Sequence, residues 1–233
     1  MQSNKSIIIT LVLLVLSVVF FGISNVDTTL QDLVYNTQTQ QWILSKTDQP
    51  YHFIFYRSIK LLLILVSISL LLALLFFRKS KLVTLYKKGL TIVLLSLIFV
   101  TTISVEIKKH SNMPCPKHQI HYGGDYPHTV VWKRYTKPYD LLEQTKCWPA
   151  GHASAGFALL SLFFLFKRKR NKCIGLVMGL GLGWSMGTYK MFIGDHYFSH
   201  TFITMLLSWL IILLIHKGIS KIMTYKISLK TIA

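Results

Sequence analysis

Apolar residues along the chain are gathered into six nearly uninterrupted runs that are separated by polar or charged segments. The runs span residues 7–24, 59–77, 90–107, 153–166, 173–189 and 201–215. A helix needs about 20 mostly apolar residues to cross a bilayer. The pattern therefore predicts an all-α fold, an integral membrane bundle of six transmembrane helices. The first run is followed by no small-residue cleavage site, so we expect a retained span rather than a signal peptide.

Composition agrees with a membrane protein and excludes several other classes. Apolar residues make up 52% of the chain and charged residues 15%, whereas roughly a quarter of an ordinary soluble domain is charged. This hydrophobicity excludes an intrinsically disordered chain. The 13 Gly, 6 Pro and 3 Cys exclude collagen-like and disulfide-dense secreted proteins.

The formal net charge of +18 would suggest a nucleic-acid partner in a soluble chain. Here the charged residues divide between the two predicted sides of the membrane. Segments 1–6, 78–89, 167–172 and 216–233 carry many Lys and Arg residues and no acid, while all eight Asp and Glu residues fall on the other face. This positive-inside pattern predicts that both termini are cytoplasmic and removes the nucleic-acid interpretation. The basic tail either lies against anionic lipid headgroups or is simply solvated.

Histidine and further cations collect on the predicted outer face. Only His216 lies inside, whereas the other histidines are His52, His110, His118, His121, His128, His152, His196 and His200. The outer cations are Lys108, Lys109, Lys117, Lys133, Arg134, Lys137, Lys146 and Lys190. Cations mixed with imidazoles suit an anionic substrate and proton transfer. The alternative is a solvated outer loop, 108–150, with scattered histidines.

Two short motifs favour a functional site. Pro149-Ala150-Gly151-His152 directly precedes the fourth run, where backbone N–H groups at the start of a helix form an anion site. His196 and His200 are four residues apart and so share one helix face. That pair either binds a metal with a third ligand such as Asp195 or His121, or one imidazole fixes the tautomer of the other. A purely structural pair is the remaining alternative.

Together with a third segment, these motifs resemble the signature of the type 2 phosphatidic acid phosphatase superfamily, which are six-span membrane lipid phosphatases. The family signature runs K-x(6)-R-P, P-S-G-H and S-R-x(5)-H-x(3)-D. The corresponding segments here are Lys108-x(6)-Cys115-Pro116, Pro149-Ala150-Gly151-His152 and Tyr189-Lys190-x(5)-His196-x(3)-His200. The resemblance covers roughly residues 58–216, the expected catalytic core of a single membrane domain 1–233. It is closest to a divergent bacterial branch.

The resemblance implies a metal-free reaction with defined residue roles. His196 would attack phosphorus to form a phosphohistidine, and His152 would protonate the leaving oxygen. The phosphate oxygens would be held by Lys108, Lys190 and the backbone N–H groups of Ala150 and Gly151. The implied substrate is a lipid phosphate such as lipid A, an isoprenyl (di)phosphate or phosphatidylglycerol phosphate. The implied location is a bacterial cytoplasmic (inner) membrane, with the site facing the periplasm or exterior.

Several residues depart from the family signature. Cys115 replaces an arginine and cannot contact phosphate in bidentate fashion. We expect Arg134 or Lys133 to supply that missing cation. Ala150 and Lys190 replace serine and arginine, and His200 replaces the aspartate that orients the nucleophile. These changes predict activity that is slowed, redirected or lost.

Cys115 and Cys147 both lie in the predicted outer loop, where an oxidising compartment permits a disulfide. We expect the two to be bonded and to tie the first motif to the second, the alternative being two free thiols. Two other functions stay open from the sequence: a membrane metalloenzyme built on His196 and His200, and a non-catalytic protein that binds anionic lipid.

Overall fold

The computed structural model describes residues 2–133, 135–139 and 145–232, and it is mostly helical. The α-helices are α1 Gln2–Ile23, α2 Val26–Asp32, α3 Gln49–His52, α4 Ile59–Phe76, α5 Lys81–His110, α6 Gly151–Phe157, α7 Leu162–Leu165, α8 Lys169–Phe192 and α9 Phe198–Ile232. A π-helical turn, Phe53–Ser58, joins α3 to α4, and a 3-10 turn, Ala158–Ser161, joins α6 to α7. Short 3-10 turns cover Pro116–His118 and Ile120–Tyr122. Strands β1 Tyr35–Asn36 and β2 Gln41–Trp42 form a small antiparallel hairpin.

Within the described residues, four helices are long and apolar enough to cross a membrane. They span Asn4–Ile23, Gln49–Phe76, Lys81–His110 and Phe198–Tyr225. The fourth apolar run forms a shorter apolar helix, Gly151–Leu165. The fifth run lies in α8, whose glycines and charged first turn lower its mean hydropathy below that of the other long helices. The chain is therefore a helical membrane protein, and among the described residues the combination of spanning length and high hydropathy is found for four of the six predicted spans.

Small residues allow α6 and α8 to pack closely. A Cβ atom added to Gly156 would lie 2.5 Å from the backbone nitrogen of Gly183, and one added to Gly179 would lie 2.6 Å from the nitrogen of Leu160. Such close approach of backbones is how helices in membranes gain dispersion energy. The contact fixes the start of α6 relative to the end of α8, and both ends carry motif residues.

The core lies between α5, α6 and α9, while α1 and α4 turn apolar side chains outward. Val93, Val100, Phe157 and Ile212 are almost fully buried members of one apolar cluster. Large exposed apolar side chains follow α1 and α4 along their length. Exposed apolar surface of this extent on a long helix is expected where lipid replaces water.

The segment between α1 and α4 packs over the end of the bundle at which α6 and α9 begin. Tyr35 and Trp42 of the hairpin meet Tyr122 with ring centroids 5.1 and 5.2 Å away, and Tyr197 joins the same buried cluster. Because Tyr197 immediately precedes α9, this aromatic cluster anchors the loop that carries His196.

Candidate active site

A cavity of about 510 Å³ opens where the three motifs meet. Lys108 comes from the end of α5, His152 from the start of α6, and His196 from the loop between α8 and α9. The remaining lining residues are Cys115, His118, Tyr126, Thr145, Lys146, Cys147 and Asp195. Residues far apart in the sequence thus share one concave site with three imidazoles and two lysines.

His196 and His200 form a buried pair, but they do not share a helix face as expected, because His196 lies in the loop before α9 and only His200 lies in α9. Their Nδ1 atoms are 3.4 Å apart, and their side chains are 2% and 0% exposed. Because Nδ1 of His196 faces His200, Nε2 is the nitrogen left for chemistry. Burial, followed by His200 and Lys108, holds the pKa of His196 well below its usual range. The neutral imidazole of His196 is therefore favoured over the charged form.

His152 stands at the start of α6 and contacts an aromatic residue from a distant segment. Its Nε2 atom is 3.3 Å from the hydroxyl oxygen of Tyr56, and the two rings meet edge to face with centroids 4.8 Å apart. Tyr56 lies on the π-helical turn that precedes α4. Sequence reasoning missed Tyr56, because a tyrosine at the end of an apolar run is commonplace in membrane helices.

Lys108 lies beside the backbone at the start of α6, but the Ala150 N–H is already occupied. A methyl group on Gly151 would lie 3.8 Å from Cδ of Lys108. The backbone N–H of Ala150 donates a 2.8 Å hydrogen bond to Oγ1 of Thr204, and Ala150 is fully buried. The expectation that the Ala150 N–H contacts phosphate is therefore wrong, because this N–H is used to stabilise the packing of α6 on α9.

Lys190 belongs to a three-residue ionic cluster. Its Nζ atom donates to Oδ2 of Asp195 at 2.8 Å, and Nζ of Lys117 pairs with Oδ1 of the same carboxylate at 2.7 Å. Burial raises the pKa of Asp195, but Lys190 and Lys117 together outweigh burial and leave that pKa below its usual range. Asp195 is thus ionised and bridges two lysines, so the cluster keeps one net positive charge.

The sequence motifs do not assign Lys117 to the site, and they indicate Asp195 only as a possible metal ligand. One signal was available, since Lys117 lies two positions after Cys115, where the family signature has a cation. Arg134 lies outside the described residues, and Lys133 is an exposed loop residue.

Cys115 and Cys147 are paired in a disulfide at the wall of the cavity. Their Cα atoms are 5.1 Å apart and their positions differ by 32. The backbone N–H of Cys147 also donates to the carbonyl of Met113 at 3.1 Å. The bond joins the segment after α5 to the segment before α6, and so connects the neighbourhoods of Lys108 and His152. Cys173 is free and exposed.

A buried carboxylate caps the first turn of α9. Asp27 is 6% exposed and accepts the backbone N–H of Ser199 at 2.8 Å as well as the Ser199 hydroxyl. Burial raises the pKa of Asp27 to about 6, although both hydrogen bonds from Ser199 lower it. Asp27 comes from the segment after α1, and no sequence motif pointed to it.

The metal alternative for the His196–His200 pair lacks its third ligand in the part of the chain that the structure describes. No group of three or more His, Cys, Asp or Glu side chains with metal-binding geometry is found there. His121 pairs instead with Asp32, at 2.9 Å between Nε2 and Oδ1. The carboxylate of Asp195 is engaged by two lysines.

These features define a helical membrane protein in which loops and helix ends at one end of the bundle enclose a site lined by histidines and lysines. The model of the PAP2 superfamily matches residues 89–223 of the 233-residue chain. The chain therefore belongs to the PAP2 superfamily, and the matched range contains Lys108, His152, Lys190 and His196. Membership indicates phosphatase-type activity on phosphate esters. No curated protein and no solved structure matches the chain.

Proposed function

We propose that the protein is an integral-membrane phosphatase that acts on a lipid phosphate. The observation that carries this proposal is that His196, His152 and Lys108 line the same cavity. Phosphoryl transfer needs little beyond positioning and neutralisation of charge, which two imidazoles and nearby lysines provide. Lipid A, an isoprenyl (di)phosphate and phosphatidylglycerol phosphate are the substrates to test first.

In the first step, Nε2 of His196 attacks phosphorus and the bond from phosphorus to the lipid oxygen breaks. His152, in its imidazolium form, gives a proton from Nε2 to the departing alkoxide, so that a neutral alcohol leaves and the imidazole becomes neutral. His200 accepts the Nδ1–H of His196 and keeps the lone pair on Nε2, as the 3.4 Å contact allows. Because the imidazole of His200 carries no negative charge when neutral, it stabilises the cationic phosphohistidine less than a carboxylate would.

In the second step, water attacks the phosphohistidine and inorganic phosphate leaves. His152, now neutral, takes a proton from that water, and both histidines return to their starting states. If an alcohol attacked the phosphohistidine in place of water, the phosphoryl group would be transferred to that alcohol, and atoms and charge would balance in the same way. The reaction consumes one water and needs no oxidant, reductant or cofactor.

The phosphate oxygens are proposed to be held by Lys108, the backbone at Gly151, and the cluster of Lys190, Asp195 and Lys117. Lys117 then serves in place of the arginine that Cys115 replaces. Support comes from its 2.7 Å contact with Asp195, a residue that lines the cavity. An arginine fork could hold two phosphate oxygens at once, whereas a lysine acts as a point charge. The exchange predicts looser phosphate binding.

We further propose six spans within one domain, 1–233, in a bacterial cytoplasmic membrane with both termini inside. The absence of acidic residues from segments 78–89 and 167–172 supports this orientation. Cys173, exposed near the start of α8, is a native reporter of the inner face. A membrane-impermeant maleimide should label it only after permeabilisation, whereas Thr37→Cys, at the exposed hairpin, should label in intact cells. Labelling of Cys173 in intact cells would contradict the orientation.

Phosphate release from a panel of lipid phosphates tests the proposed activity directly. Wild type should release phosphate with or without chelator, and His196→Ala should abolish release. His152→Ala should lower it strongly, and His200→Ala should lower it less. His110→Ala, at the exposed end of α5, is the matched control and should leave release unchanged. If wild type releases no more phosphate than His196→Ala, the phosphatase proposal is wrong.

A further inference from the structure

We propose that Tyr56 is a positioning residue of the reaction. Its hydroxyl holds the proton donor His152 in place, and its ring holds the ammonium group of Lys190 in place. The inference rests on the proposed phosphatase function and extends it. Tyr56 lies outside the matched range 89–223 and outside the three motifs. Its assignment therefore comes from the contacts in the structure.

The backbone around Tyr56 is unusual. Residues Phe53–Ser58 form a π-helical turn inside an otherwise α-helical segment that runs from Gln49 to Phe76. Single π turns in α-helices are rare and frequently occur at functional sites, because the extra residue per turn redirects a side chain. Here the turn carries Tyr56, whose hydroxyl meets a histidine 96 positions further along the chain.

The hydroxyl of Tyr56 determines which N–H of the protonated His152 is held in place for transfer. Nδ1 of His152 is buried and has no hydrogen-bond partner among the described residues, whereas Nε2 is 3.3 Å from the Tyr56 oxygen. In the imidazolium form that donates in the first step, the Nε2–H is therefore the one that has an acceptor. The Tyr56 oxygen accepts this N–H until the leaving oxygen arrives.

The ring of Tyr56 also contacts the cationic side of the site. Nζ of Lys190 lies 5.2 Å from the centre of the Tyr56 ring, within the range of a cation–π interaction. Lys190 is 4% exposed, so its ammonium group depends on Asp195 and on aromatic faces for stabilisation. One aromatic side chain therefore sets the distance between the proton donor and a phosphate-binding cation.

Two substitutions of Tyr56 distinguish the contribution of the hydroxyl from that of the ring. Tyr56→Phe removes only the hydroxyl and should lower kcat about 10- to 100-fold with little change in KM, because the proton is no longer held on Nε2. Tyr56→Leu removes the ring as well as the hydroxyl. It should lower kcat and also raise KM, because Lys190 loses its cation–π contact. Tyr51→Phe, an exposed tyrosine on α3, is the matched control and should behave as wild type.

The leaving group distinguishes positioning of a proton donor from a merely structural role. With 4-nitrophenyl phosphate the nitrophenolate departs without a proton, so Tyr56→Phe should lose much less activity than with an alkyl lipid phosphate. A double variant with His152→Ala should lose no more than His152→Ala alone, since the hydroxyl acts through that imidazole. Equal losses on both substrates, or a loss that adds fully to that of His152→Ala, would overturn the proposal.

The same assays separate failure of this inference from failure of the proposed function. If wild type releases phosphate and His196→Ala does not, the phosphatase stands and Tyr56 is judged by the leaving-group comparison. If Tyr56→Phe then equals wild type on every substrate, Tyr56 has no positioning role. If wild type releases no phosphate, both the phosphatase proposal and the role of Tyr56 are wrong. Melting temperatures of the purified variants show whether each one is folded.

Discussion

The indole of Trp42 lies directly against Gly194, the residue at the turn that leads into Asp195 and His196. Gly194 has φ +70, and a Cβ atom there would lie 2.6 Å from Cζ2 of Trp42. Only glycine adopts this backbone conformation without strain and leaves room for the indole. The contact couples the hairpin between α1 and α4 to the loop that carries the proposed nucleophile.

Gly194→Ala should therefore lower both stability and phosphate release. The left-handed conformation costs roughly 1–2 kcal/mol for a residue with a side chain, and the added methyl group also displaces Trp42. Displacement of the loop should move His196 relative to Lys108, so the loss of kcat should exceed the loss expected from unfolding alone. Melting temperature and phosphate release, measured on the same preparation, check this.

Gly181→Ala is the matched control for this prediction. Gly181 lies within α8, and a Cβ atom there would meet nothing within 4 Å. Alanine is favoured over glycine inside helices by roughly 0.5–1 kcal/mol, so this variant should be at least as stable as wild type. Full activity of Gly194→Ala would show that the Trp42 contact does not position the site.

The sequence predicted the parts of the site that depend on short spacing along the chain. His196 and His200 are four residues apart, and this short spacing brings their rings together, although His196 lies in the loop before α9 and not on the expected helix face. Apolar runs likewise predicted the long helices. The spanning character of α8 could not be read as clearly, because glycines selected for close packing against α6 also lower its hydropathy.

Contacts between distant segments could not be predicted in the same way. Tyr56 lies in a π-helical turn, Lys117 in a 3-10 turn and Asp27 in the short helix α2, and their partners lie far along the chain. Nothing in their local sequence distinguishes them from the other tyrosines, lysines and carboxylates of the chain. The role expected for the Ala150 N–H failed for a related reason, since the hydroxyl of Thr204 reaches it from another helix.

Lys117→Met should weaken substrate binding more than it slows the chemical step. The change removes the partner of Oδ1 of Asp195 and brings the net charge of the Lys117–Asp195–Lys190 cluster from +1 to zero. Less positive charge beside the cavity should raise KM for a lipid phosphate roughly 3- to 10-fold. Steady-state kinetics check this, and Lys46→Met, at an exposed lysine between β2 and α3, is the control. A fall in kcat with unchanged KM would contradict a binding role.

Removal of the disulfide between Cys115 and Cys147 should lower stability and activity together. The chain-entropy model gives about 3–4 kcal/mol for a loop closed by cysteines 32 positions apart. The double variant Cys115→Ser/Cys147→Ser should therefore melt at a lower temperature, and the segment before His152 should become less constrained. Cys173→Ser, at the free and exposed cysteine, should change neither property.

Peptide mass analysis with and without reductant tests the bond itself. A linked peptide pair containing Cys115 and Cys147 should separate only after reduction. Two free thiols in protein purified without reductant would contradict the pairing. Activity that survives full reduction would show instead that the bond is not needed to hold the motifs in place.

The buried carboxylate of Asp27 should make stability depend on pH. Its pKa in the folded protein is raised from the usual 3.8 to about 6. Between these two values the folded state holds a proton that the unfolded chain has released. The stabilisation is therefore present below about pH 4 and is lost as pH rises towards 6, by up to about 3 kcal/mol.

Asp27→Asn should remove this pH dependence, because the amide does not titrate and its oxygen can still accept the Ser199 N–H. The melting temperature of wild type in detergent should fall more between about pH 4 and about pH 6.5 than that of Asp27→Asn. Asp125→Asn, at an exposed loop carboxylate, is the control and should follow wild type. Parallel pH profiles of the melting temperature for wild type and Asp27→Asn would show that ionisation of Asp27 hardly lowers the free energy of unfolding. The cap on α9 would then not be a source of acid-dependent stability.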